Sequence, residues 1–245
     1  MGELPPLDLR APTRLLVLTG AGVSVESGLP AFRGAGGLWD GHRVEDVASP
    51  EGFARAPDLV WSFYAARRRA AAAVEPNAAH RALAACETRM RDRFLLVTQN
   101  IDGLHMRAGS GRVLELHGSL WRTRCSGCDR PPFADSSEPT ATPRCDRCGG
   151  ALRPDVVWFG EAVDAEADRR TRRFVKDAAQ AGERLVFLAV GTSGSVWPAS
   201  GLVRYAADLG AETWLANLDE ADNAGWFDHR VLGPATAVLP ALLEV

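Results

Sequence analysis

"RLLVLTGAGVSVESGLPAFRG", residues 14–34, joins an apolar run of strand length to a glycine loop. An apolar run without polar alternation reads as a strand covered on both faces. The plan recurs in "RFLLVTQNIDGLH" (93–105), "RVLELHGSL" (112–120), "RLVFLAVGTSGSVWPAS" (184–200) and "AETWLANLDE" (211–220). Each run ends in polar residues, which puts the chemistry at the carboxyl edge of a parallel sheet. Helical patterns lie between the runs, at 58–74, 77–90, 164–181 and 198–209. Asn77 follows Pro76 and reads as a helix N-cap. The order is α/β, with interruptions at about 41–91 and 121–153.

Five cysteines occur, at 86, 125, 128, 145 and 148. Four form two C-x-x-C pairs separated by 16 residues. That is zinc-site spacing. Four thiolates from Cys125, Cys128, Cys145 and Cys148 fill a tetrahedral shell and leave no position for a reacting water, so the expected zinc ion is structural. The fold class expected is α/β, and the family resemblance described below implies a Rossmann-like doubly wound parallel sheet, with a smaller domain made of a zinc-binding module and a helical insertion. In this division residues 1–245 are one domain. The Rossmann-like part takes 10–40, 92–120 and 154–245, the helical insertion 41–91 and the zinc-binding module 121–153.

The chain has 245 residues, is 46% hydrophobic and carries a net charge of −3, enough for one large domain and no case for a nucleic-acid or anionic-membrane partner. No apolar run reaches membrane-spanning length. "MGELPPLDLRAPT" has neither an apolar core nor a basic leader, so a cytoplasmic location is expected. Lys176 is the only lysine among 28 basic residues, a bias that weakens any argument from arginine count.

Position still carries an argument. In "DLVWSFYAARRRAAAAVEP", 58–76, a helical wheel measured from Val60 puts Tyr64 at about +40°, Arg67 at about −20° and Ala71 at about +20°. Arg67 thus falls on the most apolar stripe. Arg68, at about +80°, and Arg69, at about 180°, are expected to point elsewhere.

Three further features carry chemistry. Gly20 and Gly22, after the first strand, allow close approach of a phosphate to backbone amides. Taken alone this is a weak signal, since a tight strand-to-helix turn looks the same. Of five histidines, His117 ends an apolar strand and precedes Gly118, a placement suited to a general base. Asn100 and Asp102 alternate after another strand and face the same way in extended chain, where together they can hold a carboxamide.

"GAGVSVESGLPAFR", "TQNIDGLH", "LHG", the four cysteines, "PDVVWFGE", "GTSGSVWPAS" and "NLD" resemble, in this order, the sirtuins, the NAD-dependent protein lysine deacylases. The sequence also looks like the class III branch, in "FRGAGG" and in a Tyr-x-x-Arg formed by Tyr64 and Arg67. The resemblance implies that NAD is consumed as a co-substrate. It places Ala21, Ser24, Phe32, Arg33 and Trp39 in the NAD cleft, along with the glycines. Asn100 and Asp102 would hold the nicotinamide amide beside Ile101, and Gln99 the nicotinamide ribose. Gly191, Thr192 and Ser193 would meet phosphates and ribose. Asn217 would reach the adenosine ribose, next to Leu218 and Asp219, with Ala235 near adenine. Val157, Trp158, Phe159, Gly160 and Glu161 would pair with the substrate peptide as an added strand. His117 would take a proton from a ribose hydroxyl. The products would be nicotinamide, free lysine and 2′-O-acyl-ADP-ribose.

Tyr64 and Arg67 would then read an acidic acyl group, succinyl or malonyl, with acetyl-lysine also accepted. The alternatives are a plain deacetylase or a mono-ADP-ribosyltransferase. An ordinary dehydrogenase has no use for "LHG" beside a four-cysteine module. A nucleic-acid-binding ribbon needs a basic surface, whereas Arg122, Arg124, Arg130, Arg144 and Arg147 are nearly cancelled by Asp129, Asp135, Glu138 and Asp146. The expected partners are acylated lysines of proteins, with no nucleic acid, no membrane and a monomeric chain.

Overall fold

A computed structural model describes residues 6–10, 12–31, 38–39 and 41–244. Besides a short antiparallel pair, Leu38–Trp39 with His42–Arg43, the strands are β1 Thr13–Thr19, β2 Phe94–Thr98, β3 Val113–Glu115, β4 Gly118–Cys125, β5 Phe133–Ala134, β6 Leu152–Val156, β7 Arg184–Val190, β8 Glu212–Asn217 and β9 His229–Leu232. The main helices are α1 Pro57–Ala73, α2 Ala78–Met90, α3 Ala165–Ala181, α4 Leu202–Ala207 and α5 Ala235–Leu243.

Six strands form one parallel sheet in the order β9-β8-β7-β1-β2-β3. The chain leaves β1 toward β3, then returns to its other side and proceeds to β9. That reversal makes the crevice between β1 and β7 the switch point, where ligands of doubly wound sheets bind. Alternation along β1 divides the core. Leu16 and Leu18 face a cluster with Phe174, Val175 and Leu202 of α3 and α4. Leu15 and Val17 face another with Leu83 and Met90 of α2 and Leu239 of α5.

The second unit is a three-stranded antiparallel ribbon, β5-β4-β6, packed on α1. Trp61 and Tyr64 of α1 share an apolar cluster with Leu120, Leu152 and Trp158. The stretch expected as one helical insertion, 41–91, therefore divides: α1 packs on the ribbon, but α2 joins the core of the main sheet. The physical reason is the break at Glu75–Pro76 and the new start at Asn77, whose side chain accepts from the N–H groups of Ala79 and His80.

Candidate active site

The loops after β1 and β7 cross at the switch point. Gly22 N–H donates to the Gly191 carbonyl at 2.8 Å. A Cβ on Gly20 would lie 2.7 Å from Gly191 O, and one on Gly22 would lie 2.7 Å from Gly191 Cα. Gly191 itself has φ +61. These glycines are thus required by the contact of two backbones, a reason that their spacing does not display. Thr192 and Ser193 continue the second loop. Asn217, expected at a ribose, is buried and braces that loop. It accepts from Thr192 N–H at 3.0 Å and donates to Thr192 O at 2.7 Å. Leu218 and Asp219 are exposed just beyond it, and Ala235 opens α5. Phe32 and Arg33 lie outside the described residues, and of Trp39 only its place in the short strand Leu38–Trp39 is described.

Ser24 is the hub of the floor. It accepts from Asn100 Nδ2 at 3.2 Å and donates to Asp102 Oδ2 at 2.8 Å. Asn100 and Asp102 are thereby linked, as their alternation suggests. Burial raises the Asp102 carboxyl pKa, against the pull of Leu104 N–H, Ser24 and the nearby charges of Arg67 and Arg107. Beneath this lies a layer that the sequence reading leaves out. The His80 and His105 rings lie 4.8 Å apart, tilted by 55°, and His105 Nε2 meets Thr19 Oγ1 at 2.9 Å. Thr19 donates on to Thr98, and Thr98 accepts from Asn100 N–H at 3.0 Å. Burial pushes the His80 pKa down to about 4 and that of His105 well below its ordinary value. No periodicity marks these histidines, because they lie on α2 and on a short helix at Leu104–Arg107 and meet only through the fold.

His117 follows β3. Its Nδ1 lies 3.1 Å from the Gln99 carbonyl oxygen. A carbonyl only accepts, so Nδ1 carries the proton and Nε2 is the basic nitrogen. Gln99 also reaches Thr192 Oγ1 at 3.2 Å, tying the base to the switch-point loop. Gly118 has φ +77, and a Cβ there would lie 2.1 Å from Asp155 O, so only glycine permits this turn.

β4 begins next to His117 and ends at Cys125. β6 pairs with it and runs into Val157–Glu161. The four cysteine Sγ atoms lie within 4.8 Å of one another. A tetrahedral zinc–thiolate shell has sulfur–sulfur edges of about 3.8 Å. Gly127 and Gly150 N–H groups donate to Cys125 and Cys148 sulfurs at 3.2 and 3.4 Å, as thiolates favour. This donor set fits one zinc ion that closes the ribbon roughly 26 Å along an extended strand from His117. Arg122, Arg124, Arg130 and Arg147 all make ion pairs, with Glu115 and Asp155, Glu161, Asp146 and Asp129 respectively.

The pocket wall differs from the expectation in three ways. Arg68, expected to point elsewhere, is 1% exposed. Its guanidinium donates to Leu120 O, Thr123 Oγ1, Ser137 O and Asp135. The wheel misses this because α1 is covered on two sides, so +80° is also interior. Tyr64, expected to touch an acyl group, is 0% exposed, and its hydroxyl oxygen accepts from Trp158 Nε1 at 3.0 Å. Arg67, one turn on, is half-buried, and its charge favours ionisation of both Tyr64 and Asp102. Third, the N–H groups of Val157, Trp158, Phe159 and Glu161 already donate to His117 O, Glu161 Oε2, Ala48 O and Trp158 O. In this state an added strand would meet the segment through other groups, because these four donors are internally bonded.

A family model described as the Sir2 family matches residues 20–198. The chain belongs to the Sir2 family. This sirtuin is 46% identical over 234 residues to a protein from Shigella flexneri named NAD-dependent protein deacylase, covering 94% of this chain and 83% of that protein. It is 44% identical over 238 residues to NAD-dependent protein deacylase 2 of Pyrobaculum aerophilum, covering 97% and 93%. Relatives of this kind place it in the class III branch of sirtuins. Among solved structures, a Sir2 homologue–NAD complex superposes with a TM-score of 0.85 at 40% identity, over 95% of this chain and 88% of that one. A Sir2 homologue bound to ADP ribose gives 0.86 at 40% identity, over 95% and 91%. No helix among the described residues is long and apolar enough to cross a membrane.

Proposed function

We propose that this chain is an NAD-dependent protein lysine deacylase that prefers acidic acyl groups, succinyl and malonyl, and also accepts acetyl-lysine. The observation that carries the reading is His117, held by Gln99 with Nε2 as its basic nitrogen, beside the linked Asn100–Ser24–Asp102 floor. NAD would supply an electrophilic ribose carbon as co-substrate: the acyl oxygen bonds to that carbon as its bond to nicotinamide breaks. Asn100 and Asp102 orient the carboxamide at the floor of the crevice, and Thr192 and Ser193 face the phosphates and ribose from the β7 loop. His117 Nε2 takes a proton from a ribose hydroxyl, so that this oxygen can attack the carbon of the transferred acyl group. Water then yields free lysine and 2′-O-acyl-ADP-ribose, with nicotinamide already released.

Arg67 carries the acyl preference. A carboxylate at the end of a succinyl or malonyl chain meets a guanidinium fork, whereas acetyl offers no charge. Tyr64, buried behind it, backs the same face. The zinc module serves as scaffold: Arg122, Arg124, Arg130 and Arg147 are drawn into ion pairs, which supports a peptide partner over a nucleic acid. The division into a Rossmann-like part, a helical part and a zinc module remains the working one, with α2 assigned to the sheet side. The test is a panel of acetyl, succinyl, malonyl and crotonyl lysine on one peptide, with NAD. Turnover fastest on the acidic acyls supports the reading. Fastest turnover on acetyl-lysine would make the chain a deacetylase instead, and label passing from NAD onto protein would make it an ADP-ribosyltransferase.

A further inference from the structure

Arg153, on β6, is buried at the root of the Val157–Glu161 segment. Its guanidinium donates to both oxygens of Glu161, at 2.6 and 2.8 Å, and to Val156 O at 2.8 Å. Its Cζ lies 3.3 Å from the ring centroid of Trp158. Glu161 also accepts from Trp158 N–H at 2.8 Å, and Arg124 reaches it at 3.2 Å. Gly160 turns the corner with φ +87. On top of this closed turn Phe159 stands 44% exposed. Below it Trp158 reaches Tyr64 of α1. One buried arginine thus holds the Glu161 and Trp158 ends of the turn and, through the indole, reaches the helix that carries Arg67, while Val157 and Phe159 are fixed separately on His117 O and Ala48 O.

A buried ion pair is weak evidence for stability, since desolvation offsets much of its attraction. What a bidentate, stacked guanidinium does supply is a single geometry. We propose that Arg153 is a positioning residue for the acyl-lysine peptide. Acting through Glu161 and Trp158, it presets the turn that the peptide lies against, so that binding does not have to order it. Glu161, expected to touch substrate, is by this account the partner that Arg153 acts through. The inference rests on the deacylase reading above.

The test uses the full chain with zinc. Peptide affinity is titrated with a succinyl-lysine peptide, NAD affinity is titrated separately, and KM is resolved from kcat. Arg153→Lys keeps the charge but loses the fork and the stack. It should raise the peptide Kd and KM by roughly tenfold or more, with the NAD Kd changed less than about twofold. Glu161→Gln should do the same, and the double variant should be no worse than either single one. If Arg153→Lys does not fold, Glu161→Gln alone carries the test. A folded variant that binds peptide like the wild type overturns the proposal. So does an equal loss of peptide and NAD affinity, which would mark general disorder. Should the wild type turn over no acyl-lysine peptide at all, the deacylase reading itself fails and the proposal with it. Wild-type turnover with unchanged variants defeats the proposal alone.

Discussion

His117 Nδ1 donates to the backbone carbonyl of Gln99, 3.1 Å away, and so the basic nitrogen of the imidazole is fixed before any substrate arrives. Burial lowers the pKa of this imidazole, and the Gln99 bond pulls the other way. The reactive form is neutral, and the lowered pKa keeps it neutral further into acid. Hence kcat/KM should hold through the ordinary histidine range, near pH 6.5, and fall only below it. His117→Ala should lose roughly 10² to 10⁴ in turnover and keep NAD affinity, because the loops at Gly20 and Gly191 are untouched. Steady-state rates with a direct NAD titration check both. Turnover close to that of the wild type would remove His117 from the mechanism.

Acid should unfold the chain through a different pair. His80 and His105 are buried and neutral, with the His80 pKa pushed down to about 4 and that of His105 lower than its usual range. The unfolded chain binds protons at these sites near pH 6.5, which the folded chain refuses. Stability is therefore full above about pH 6.5 and falls toward pH 4, by up to about 1.4 kcal/mol per pH unit for each histidine. Asp102, with its raised pKa, works in the opposite sense at the acid end. Thermal midpoints between pH 7.5 and 4.5 test this, and a flat profile contradicts it.

Zinc removal should disorder the ribbon and, with it, the active edge. β4 carries Cys125 at one end and follows His117 at the other, and β6 joins the second cysteine pair to Val157–Glu161. Structural zinc of this kind contributes on the order of 10 kcal/mol in small modules. Cys125→Ala should give unstable chain, and metal analysis should find one zinc per chain. Metal-free protein that stays folded and fully active would refute the structural role.

The parallel sheet was legible because its strands are apolar on both faces, and the zinc module because ligand spacing is local. Asn100 and Asp102 were legible for the same reason: two residues apart, they share a side. What stayed hidden needs contact between distant segments. Gly20 and Gly22 exclude a Cβ because Gly191 lies against them, 171 residues later in the chain for the first. His80 and His105 form one layer from two helices. Asn217, which the resemblance assigns to a ribose, also holds Thr192, a contact its place in the sequence does not display. A wheel of α1 finds one buried face but cannot show that a second is covered by β4.

Arg68 is that second face. All its hydrogen bonds cross to the ribbon, and its partner Asp135 also accepts from Thr123 Oγ1 at 2.6 Å. Arg68→Met would leave a half-buried carboxylate and several carbonyls without their donor. Removal of one member of a buried pair costs about 3 to 5 kcal/mol. Denaturant unfolding should show that loss, whereas Arg69→Met, whose Glu138 partner is exposed, should change stability by less than about 1 kcal/mol. Equal, small effects of the two substitutions would refute the anchoring role.

Arg67 is the sharper case, since it separates fold from specificity on a single helix turn. It shares α1 with Arg68, and its charge acts on Tyr64 and Asp102 at the pocket wall. A guanidinium there has two possible uses. As a fold support it would lower activity on every acyl-lysine alike. As a reader of acyl charge it would act only where a carboxylate is present. Truncating one partner of a buried charge pair costs roughly 2 to 5 kcal/mol. Arg67→Met should therefore cut the succinyl-over-acetyl ratio of kcat/KM by roughly 30- to a few-thousand-fold. The drop should lie on the succinyl side, with acetyl-lysine holding or improving as the pocket becomes more apolar. Parallel rates on both peptides decide the matter: equal losses on succinyl and acetyl would mean that Arg67 supports the fold and does not read the acyl chain.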